Sequence, residues 1–583
     1  MKRLFTLNKY FKRNKGQLSL GVLFILISDF TQVFIPLMLK DSINALQANA
    51  SNELIIRYAI IIFGLAVVSG FFRFMIRQTI IVVSRKIEFD LRQDFWTHLL
   101  KLSHRYFQNT STGDIMAHAT NDIAAVRMYV GPAVMYSIDT TIKFIIVIAI
   151  MLSVSPILTA TILLPLPVLS YFVYKLSKKI HKKFTLIQEK FSDITTIAQE
   201  NFSGIRIIKS YVREAFEIEE FAKESSEYRK RNMDKIKIQA LFMPLLLLIT
   251  GTSVILLILV GGNMVINSQL TLGDIAAFLF FLGMLIFPTI AFGWVANIVQ
   301  QADASLKRLL KIYDEDIEIK ENSETDNSIE QIDGTIKFKN VSFKYGDQLP
   351  DVLTNINLEI PKGSTLAIVG HTGVGKTSLV NLVSRLFDAT SGSISIDGKN
   401  IKSIPLKVLR ENIGMVPQET FLFSETLEKN ILYGVENQED KVLLEKVANI
   451  SQLNKDVDQF ADKYNTVLGE RGITLSGGQK QRTSLARALA INPKILILDD
   501  SFSAVDTKTE EEILIKLKEF MKDRTSIIIS HRISTVKDAD NIIVLDNGVI
   551  AEQGMHDELL KLGGIYYDIH FKQLLEEELQ RER

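Results

Sequence analysis

Residues 370–377 read Gly-His-Thr-Gly-Val-Gly-Lys-Thr. This fits G-x-x-x-x-G-K-[ST], the spacing of a loop folded around phosphate. Gly373 and Gly375 let the backbone curl until its N–H groups point at phosphate oxygens, and a helix starting at the loop's end adds positive potential. Lys376 is then placed to reach the β- and γ-phosphates, and the Thr377 hydroxyl to hold Mg²⁺. Gly370, His371, Thr372, Val374 and Ser378 complete the set that would line a nucleotide's phosphates. A chance glycine turn needs no special flanks. Here the apolar run 366–369 reads as a buried strand, and 378–383 opens a helix.

Other residues suit the same chemistry. The run 495–499 is an apolar strand ending in Asp499, where a phosphate-loop fold keeps its Mg²⁺-holding aspartate. Asp500 follows, a second carboxylate able to orient or deprotonate a water. His531 ends the strand-like stretch 525–530. It is either a γ-phosphate contact or a plain strand-end hydrogen bonder. Tyr345 comes just after the β-like pieces 336–338 and 341–343. Its ring either stacks on a purine or belongs to the core. Ser476, Gly477, Gly478 and Gln479 open a helix, offering a hydroxyl and N–H groups to a second anion. Two phosphate-binding places far apart in one chain are most economically explained by one nucleotide held between two domains.

The elements that position these residues occupy the second half of the chain. At 583 residues the protein is too long for one core. Its 47% hydrophobic content is concentrated in the first 300 residues. Formal net charge is +1, which gives no pointer to nucleic acid. The eight histidines lack metal-ligand spacing, and the absence of cysteine excludes disulfides and thiolate chemistry. No signal-peptide cleavage pattern is present, so the first apolar segment is read as retained.

Six stretches near the ~20 residues needed to cross a bilayer lie at about 17–39, 54–82, 132–155, 157–177, 237–265 and 272–298. The links 41–53, 153–156 and 267–271 carry no Lys or Arg, while the N-terminal tail, 83–130 and 178–236 are rich in both. The positive-inside rule then predicts a multi-pass membrane protein with both termini cytoplasmic. The basic segments keep helical periodicity and read as extensions of the spanning helices. Two short amphipathic pieces near their tips, 106–115 and 201–211, are either turns or docking helices. Five charges fall within spans: Asp29, Arg73, Arg77, Asp139 and Lys143. Asp139 and Lys143, four apart, can pair. Arg73 and Arg77, also four apart, either meet an anionic group or snorkel. The acidic stretch 314–333 is a solvated tether, and 573–583 a charged, exposed helical tail. The expected division is a transmembrane domain at 1–310, a linker at 311–334 and a nucleotide-binding domain at 335–583. The fold class is α-helical membrane plus α/β phosphate-loop.

On these residues nearly the whole chain resembles an ATP-binding cassette (ABC) exporter half-transporter of the multidrug and lipid type. Residues 370–377 look like the Walker A loop, 495–499 Walker B, and 475–479 the family signature. Tyr345 matches the adenine-stacking position. Gln418 matches the Q-loop glutamine, which the resemblance makes a Mg²⁺ ligand with Thr377 and Asp499 and a catalytic sensor of the γ-phosphate. Residues 503–506, ending in Asp506, match the D-loop, His531 the switch histidine, and 469–472 the loop before the signature that is special to exporters. The pieces near Gly113 and Gly204 match coupling helices. The resemblance implies a dimer in which two ATP molecules with Mg²⁺ are sandwiched, each between one chain's Walker A and the other's signature. ATP-driven alternating access would then export a hydrophobic or amphipathic lipid, drug or peptide across the cytoplasmic (inner) membrane, the location that the resemblance implies. One position departs: the family's general base is usually glutamate, and here it is Asp500. A retreat of ~1 Å at a reacting water can cost ~10²-fold in rate. That favours a heterodimer whose partner supplies glutamate, with a slower homodimer as the other option. A non-transporting, regulatory membrane subunit that binds ATP but hydrolyses it poorly is the alternative function. A soluble cassette in DNA repair or translation is opposed by the six spans.

Overall fold

Long apolar stretches with few breakers fold as six long helices: α1 (Lys15–Gln47), α2 (Asn52–Leu99), α3 (Thr112–Val154), α4 (Pro156–Ser203), α5 (Glu214–Ile266) and α6 (Leu272–Tyr313). The computed structural model describes residues 2–581. Met1, Glu582 and Arg583, which close the expected first and last domains, lie outside the described residues. All six helices are long and apolar enough to cross a membrane. At 1.5 Å per residue, the 48 residues of α2 extend about 70 Å, more than twice a ~30 Å hydrocarbon core. The helices therefore continue well past their apolar sections, as their periodicity predicts.

The chain divides into two units. The first comprises the N-terminal residues to Leu100 with Thr112–Glu315, and the second Lys101–Ser111 with Asp316–Arg583. In the first, α1 packs along α2 and α6, α3 along α6, and α4 along α5. Val33, Val147, Met151, Phe278, Phe281 and Leu285 form its main apolar contact. Ile60, Phe63, Leu248 and Leu259 are left exposed, as lipid-facing residues would be. Local chemistry sets the helix ends. Ser155 caps α4, its Oγ accepting the Leu158 N–H, with Pro156 at the first helical position. Thr271 and Asp274 form a capping box at α6, and Lys40 pairs with Asp274 at 2.8 Å. Single π-helical turns interrupt α2 at Arg77–Ile81, α3 at His118–Asp122 and Tyr129–Ala133, and α5 at Leu257–Gly261.

The second unit holds ten strands: β1 (Ile336–Phe343), β2 (Leu353–Ile360), β3 (Thr365–Val369), β4 (Ser391–Ile396), β5 (Lys399–Asn400), β6 (Ile413–Val416), β7 (Ile495–Asp499), β8 (Thr525–Ile529), β9 (Asn541–Asp546) and β10 (Val549–Gly554). They form a sheet of order β2-β1-β4-β5 and a larger one of order β10-β9-β3-β8-β7-β6. The larger is parallel from β9 to β6. Its central strands are apolar throughout because both faces are covered. Leu496 and Leu498 join one core and Ile495 and Ile497 the other. The pieces 336–338 and 341–343 belong to one strand, bent where Asn340 takes φ +50° and the register shifts.

The tether expected at 314–333 is laid along the second unit. Ile329 and Ile332 are buried in its core, and Glu321 accepts the Leu406 N–H at 3.1 Å. Two isoleucines within an acidic run supply the apolar anchor that a count of charges overlooks. The two tips also differ. Residues 101–111 belong to the second unit, with the helix His104–Asn109 setting the His104 ring edge-on against Phe387. The other tip, the helix Ile205–Ser210 after Gly204, stays with the first unit and exposes Phe202, Ile207, Tyr211 and Val212.

Candidate functional site

Strand order brings the candidate residues together. β3, β8, β7 and β6 are parallel neighbours in that order. The segments leaving their carboxyl ends therefore emerge side by side: the loop 370–377, His531, Asp499 with Asp500, and Gln418. The carboxyl edge of an open parallel sheet is where such folds bind ligands. Gly375 stands at φ +101° as the residue that opens α7 (Lys376–Val383), and a Cβ there would lie 3.0 Å from the Val352 carbonyl. Only glycine meets both conditions without strain.

Lys376 is buried and its Nζ donates to the carbonyls of Gly370 and His371 at 2.8 and 2.9 Å. Burial pulls its ammonium below the usual lysine range, opposed by the charges of Asp499 and Asp500. Asp499 is held above the usual carboxylate range by burial; a hydrogen bond from Thr377 opposes this, the Asp500 charge reinforces it, and Lys376 and His531 pull the other way. One carboxylate therefore feels Thr377, Lys376, Asp500 and His531 together. Asp499 Oδ2 is buried without a hydrogen-bond partner. An orphaned carboxylate oxygen beside a threonine hydroxyl fits Mg²⁺, which takes one or two protein oxygens and completes its shell with phosphates and water. No cluster of three or more His, Cys, Asp or Glu suited to a metal exists among the described residues.

Asp500 takes φ +48°, a left-handed conformation that aspartate tolerates better than most residues. Its N–H donates to the Ile529 carbonyl at 2.9 Å, and its own carbonyl accepts from the Ser503 hydroxyl at 3.2 Å. Its backbone is therefore fixed by β8 and by the following loop. Gln418 lies exposed just past β6, and His531 exposed just past β8. Tyr345 is half-buried, its ring edge-on to Phe343 and Phe387 and its hydroxyl 2.8 Å from Ser378 Oγ. It therefore packs on the core and also touches the residue after the phosphate loop.

Ser476 caps α8 (Gly477–Ala490) through a capping box: its Oγ accepts the Gln479 N–H at 3.3 Å, and Gln479 Oε1 accepts the Ser476 N–H at 2.9 Å. The serine's own hydrogen stays available to an outside acceptor. A Cβ on Gly478 would lie 2.9 Å from the Ala504 carbonyl. This glycine thus allows close approach of the loop 503–506 that leads from Asp500. Gln481 completes that junction, donating to Ser503 Oγ and accepting from the Ala504 N–H, both at 2.9 Å. Asp506 caps α9 (Thr507–Met521) by accepting the Thr509 N–H. Among the described residues no hydrogen bond, ion pair or ring contact joins 476–479 to 370–377.

Sequence reasoning missed several residues. Asp456 ties Gln479 to Arg482, accepting from Gln479 Nε2 at 3.0 Å and pairing with Arg482 at 2.7 Å. Arg487 on α8 donates to the Phe421 carbonyl at 2.9 Å and to the Asn430 carbonyl and side chain at 2.8 Å. It fastens the segment after Gln418 to the helix after Ser476. Only these long-range contacts mark them; nothing in their local spacing does.

The first unit holds a second candidate site, a cavity of about 400 Å³ whose wall includes Gln32, Arg73, Arg77, Tyr136, Asp139 and Lys143. Lys143 pairs with Asp139, as four-residue spacing predicts, at 3.3 Å, and also with Asp29 from α1 at 3.2 Å. Arg73 donates to Gln32 at 2.6 Å. The two guanidiniums are exposed, whereas Asp29 is fully buried.

Comparison with known proteins places both units. Residues 18–289 match the ABC transporter transmembrane region and residues 353–503 the ABC transporter family model. The chain is 35% identical over 568 residues to a probable multidrug resistance ABC transporter ATP-binding/permease protein of Bacillus subtilis, covering 97% of each. It is 35% identical over 500 residues to the ATP-dependent lipid A-core flippase of Syntrophus aciditrophicus, covering 86% of this chain and 82% of that one. The structure of a bacterial Atm1-family ABC exporter with ATP bound superposes with a TM-score of 0.81 at 24% identity, covering 96% and 99% of the two chains.

Proposed function

From the premise that this chain belongs to the ABC transporter family, as a multi-pass exporter half-transporter whose cassette is an ATPase coupled to transport, we propose that it forms half of a dimer that exports anionic amphiphiles. The observation that carries the substrate class is the cavity of Arg73, Arg77 and Lys143 within a helical unit whose outer face is apolar. Charge inside a membrane span is costly and is kept where it meets a partner or a ligand. Asp29 and Asp139 both lie against Lys143, so with the two arginines these five groups carry one net positive charge.

In the second unit, the loop 370–377 grips the phosphates and Lys376 turns from its carbonyl contacts toward the β- and γ-phosphates. Tyr345 supports the base. Thr377 and Asp499, with Gln418, would hold Mg²⁺, which would neutralise charge on the transferred phosphoryl group. Asp500 orients the attacking water and accepts its proton, while Gln418 and His531 contact the γ-phosphate. Ser476, Gly477, Gly478 and Gln479 close over the nucleotide of a second chain, and the D-loop ending in Asp506 lies against them. The exposed Phe202, Ile207, Tyr211 and Val212 support docking of the second tip on that chain, since such a patch seeks cover. The intact signature beside a shortened base favours a heterodimer. The distribution of basic residues supports a cytoplasmic-membrane location with both termini inside. Closure of the paired cassettes would tilt the helices from inward- to outward-facing.

The test uses the full chain in lipid nanodiscs and two amphiphiles of equal alkyl length, a phosphate and a trimethylammonium. The phosphate is expected to stimulate ATP hydrolysis and to be taken up by inverted vesicles, with Arg73→Ala abolishing both effects. Equal stimulation by the cationic compound, or stimulation that survives Arg73→Ala, overturns the substrate class.

A further inference from the structure

The C-terminal helix α10 (Ile565–Arg581), which contains most of the stretch 573–583 expected from sequence to be an exposed tail, reaches the site through one side chain. Gln573 Oε1 accepts the Ile533 N–H at 2.9 Å, and its Nε2 donates to the His531 carbonyl. A primary amide carries an acceptor and two donors on one planar group. It can therefore bind both sides of a turn whose free donor and acceptor lie two residues apart. The turn it brackets is the one that presents His531.

Both ends of this link are anchored. At the start of α10, Glu552 accepts the N–H groups of Ile565 and Tyr566 at 2.5 and 3.0 Å. Tyr566 is fully buried, with its hydroxyl 2.8 Å from His556 Nδ1. On the far side of the turn, Arg532 pairs with the buried Glu510 of α9, which also accepts from the Thr535 hydroxyl at 2.6 Å. The Arg532 N–H donates to Ser530 Oγ at 3.0 Å. The backbone that carries His531 is thus held from one side by the helix after the D-loop and from the other by the last helix of the chain. Arg532 and Glu510 are fixed within the sheet-and-helix body. Gln573 is the contact that depends on the docking of α10.

We infer that Gln573 is a positioning residue for ATP hydrolysis: by binding both sides of the His531 turn it sets the imidazole's place at the γ-phosphate and makes the hydrolytic step depend on the docked C-terminal helix. This rests on the reading of His531 given above. The residue acts on the chemical step and leaves nucleotide binding alone, because none of its bonds involves the phosphate loop or Tyr345.

Single-turnover hydrolysis of radiolabelled ATP by the full chain in nanodiscs, with Mg²⁺, tests this. Gln573→Met keeps the length and removes the amide. A turn free to shift by ~1 Å is expected to lower the hydrolysis rate about tenfold or more, with half-saturating ATP, the affinity for a fluorescent ATP analogue and the melting temperature little changed. Gln573→Glu keeps the acceptor for the Ile533 N–H and is expected to lose less. A wild-type rate in Gln573→Met overturns the inference. So does a loss matched by weaker ATP binding, or an equal loss in both variants with an equal fall in melting temperature. His531→Ala separates the two levels. If it abolishes hydrolysis while Gln573→Met does not, only the positioning role fails; if it hydrolyses normally, the reading of His531 fails first.

Discussion

Lengthening Asp500 to glutamate tests the reading of the hydrolytic residue most directly. The backbone at this position cannot advance to compensate for a short side chain: its N–H is bonded to Ile529 and its carbonyl to Ser503. One added methylene carries the carboxylate about 1.5 Å further, the length of a C–C bond. A misplacement of ~1 Å at a reacting centre costs ~10²-fold, or about 2.7 kcal/mol of barrier. The opposing term is conformational. Residue 500 is left-handed, and a residue without aspartate's local tolerance pays roughly 1–2 kcal/mol there. That strain is present before and after the chemistry, so it lowers stability and leaves the barrier almost unchanged. Asp500→Glu should therefore raise the Mg-ATP turnover of the nanodisc-reconstituted chain by ~10- to 100-fold while lowering its melting temperature by a few degrees at most. Asp500→Asn should abolish hydrolysis and leave ATP binding intact. If Asp500→Glu stays within twofold of wild type while Asp500→Asn is inactive, the carboxylate is needed but its reach is not limiting. If Asp500→Asn also retains turnover, this residue is not the base.

Three further outcomes follow from the packing. Lys143→Met leaves the buried Asp29 without its cation and the half-buried Asp139 beside it, and should destabilise the protein by about 3–5 kcal/mol, as loss of one buried ionic partner does; with Asp29→Asn added, thermal melting should show recovery, and strictly additive losses would exclude the triad. Gly478→Ala drives a Cβ into the Ala504 carbonyl and should cut turnover ~10-fold or more through displacement of the 503–506 loop, with the chain's own ATP affinity unchanged; normal turnover would refute the close approach. Burial raises the Tyr566 hydroxyl to about 12. Its folded value lies above the unfolded one near 10, so the folded state holds its proton longer, and stability should be intact below pH 10 and fall as pH rises toward 12. Tyr566→Phe should lose that component of the alkaline slope, which melting curves from pH 8 to 11 would reveal.

What was legible in the sequence is what local spacing encodes. The six helices follow from runs of apolar residues long enough to span. The phosphate loop follows from glycines at fixed offsets between a strand and a helix, and Asp499 from a carboxylate ending an apolar run. The Asp139–Lys143 pair was legible because a helix brings residues four apart together. Asp29 was not, because its contact with Lys143 crosses from α1 to α3. Arg487, Gln481 and Asp456 escaped for the same reason: their bonds join segments tens of residues apart, and each looks locally like an ordinary polar helix or loop residue. The tether misled in the other direction. Its charge is conspicuous, but Ile329 and Ile332 decide where it lies, because burying two apolar side chains outweighs leaving exposed acids in water on either path. Ser476 and the two glycines after it were read as anion donors, and the reciprocal capping box of Ser476 and Gln479 adds a local helix-starting role that this reading did not include.

The site's asymmetry follows from how these parts are joined. Among the described residues no contact joins those that would grip phosphate to those of the signature, so on the proposed reading a complete ATP site combines two chains. The shortened base and the intact signature then affect different nucleotides. On that reading Asp500 would limit only the ATP held by this chain's own loop, whereas Ser476 through Gln479 would complete the one held by the partner. The loop 503–506 is continuous with Asp500 and is bonded through Gln481 to the helix that Ser476 caps. In the proposed dimer it would be the physical route by which one nucleotide's state is felt at the other. On the proposed reading, a slow site at Asp500 would not be an idle one. ATP retained there would hold the D-loop and signature in register while the partner's site turns over, so a base that is poor for hydrolysis suits a nucleotide that serves as a clamp.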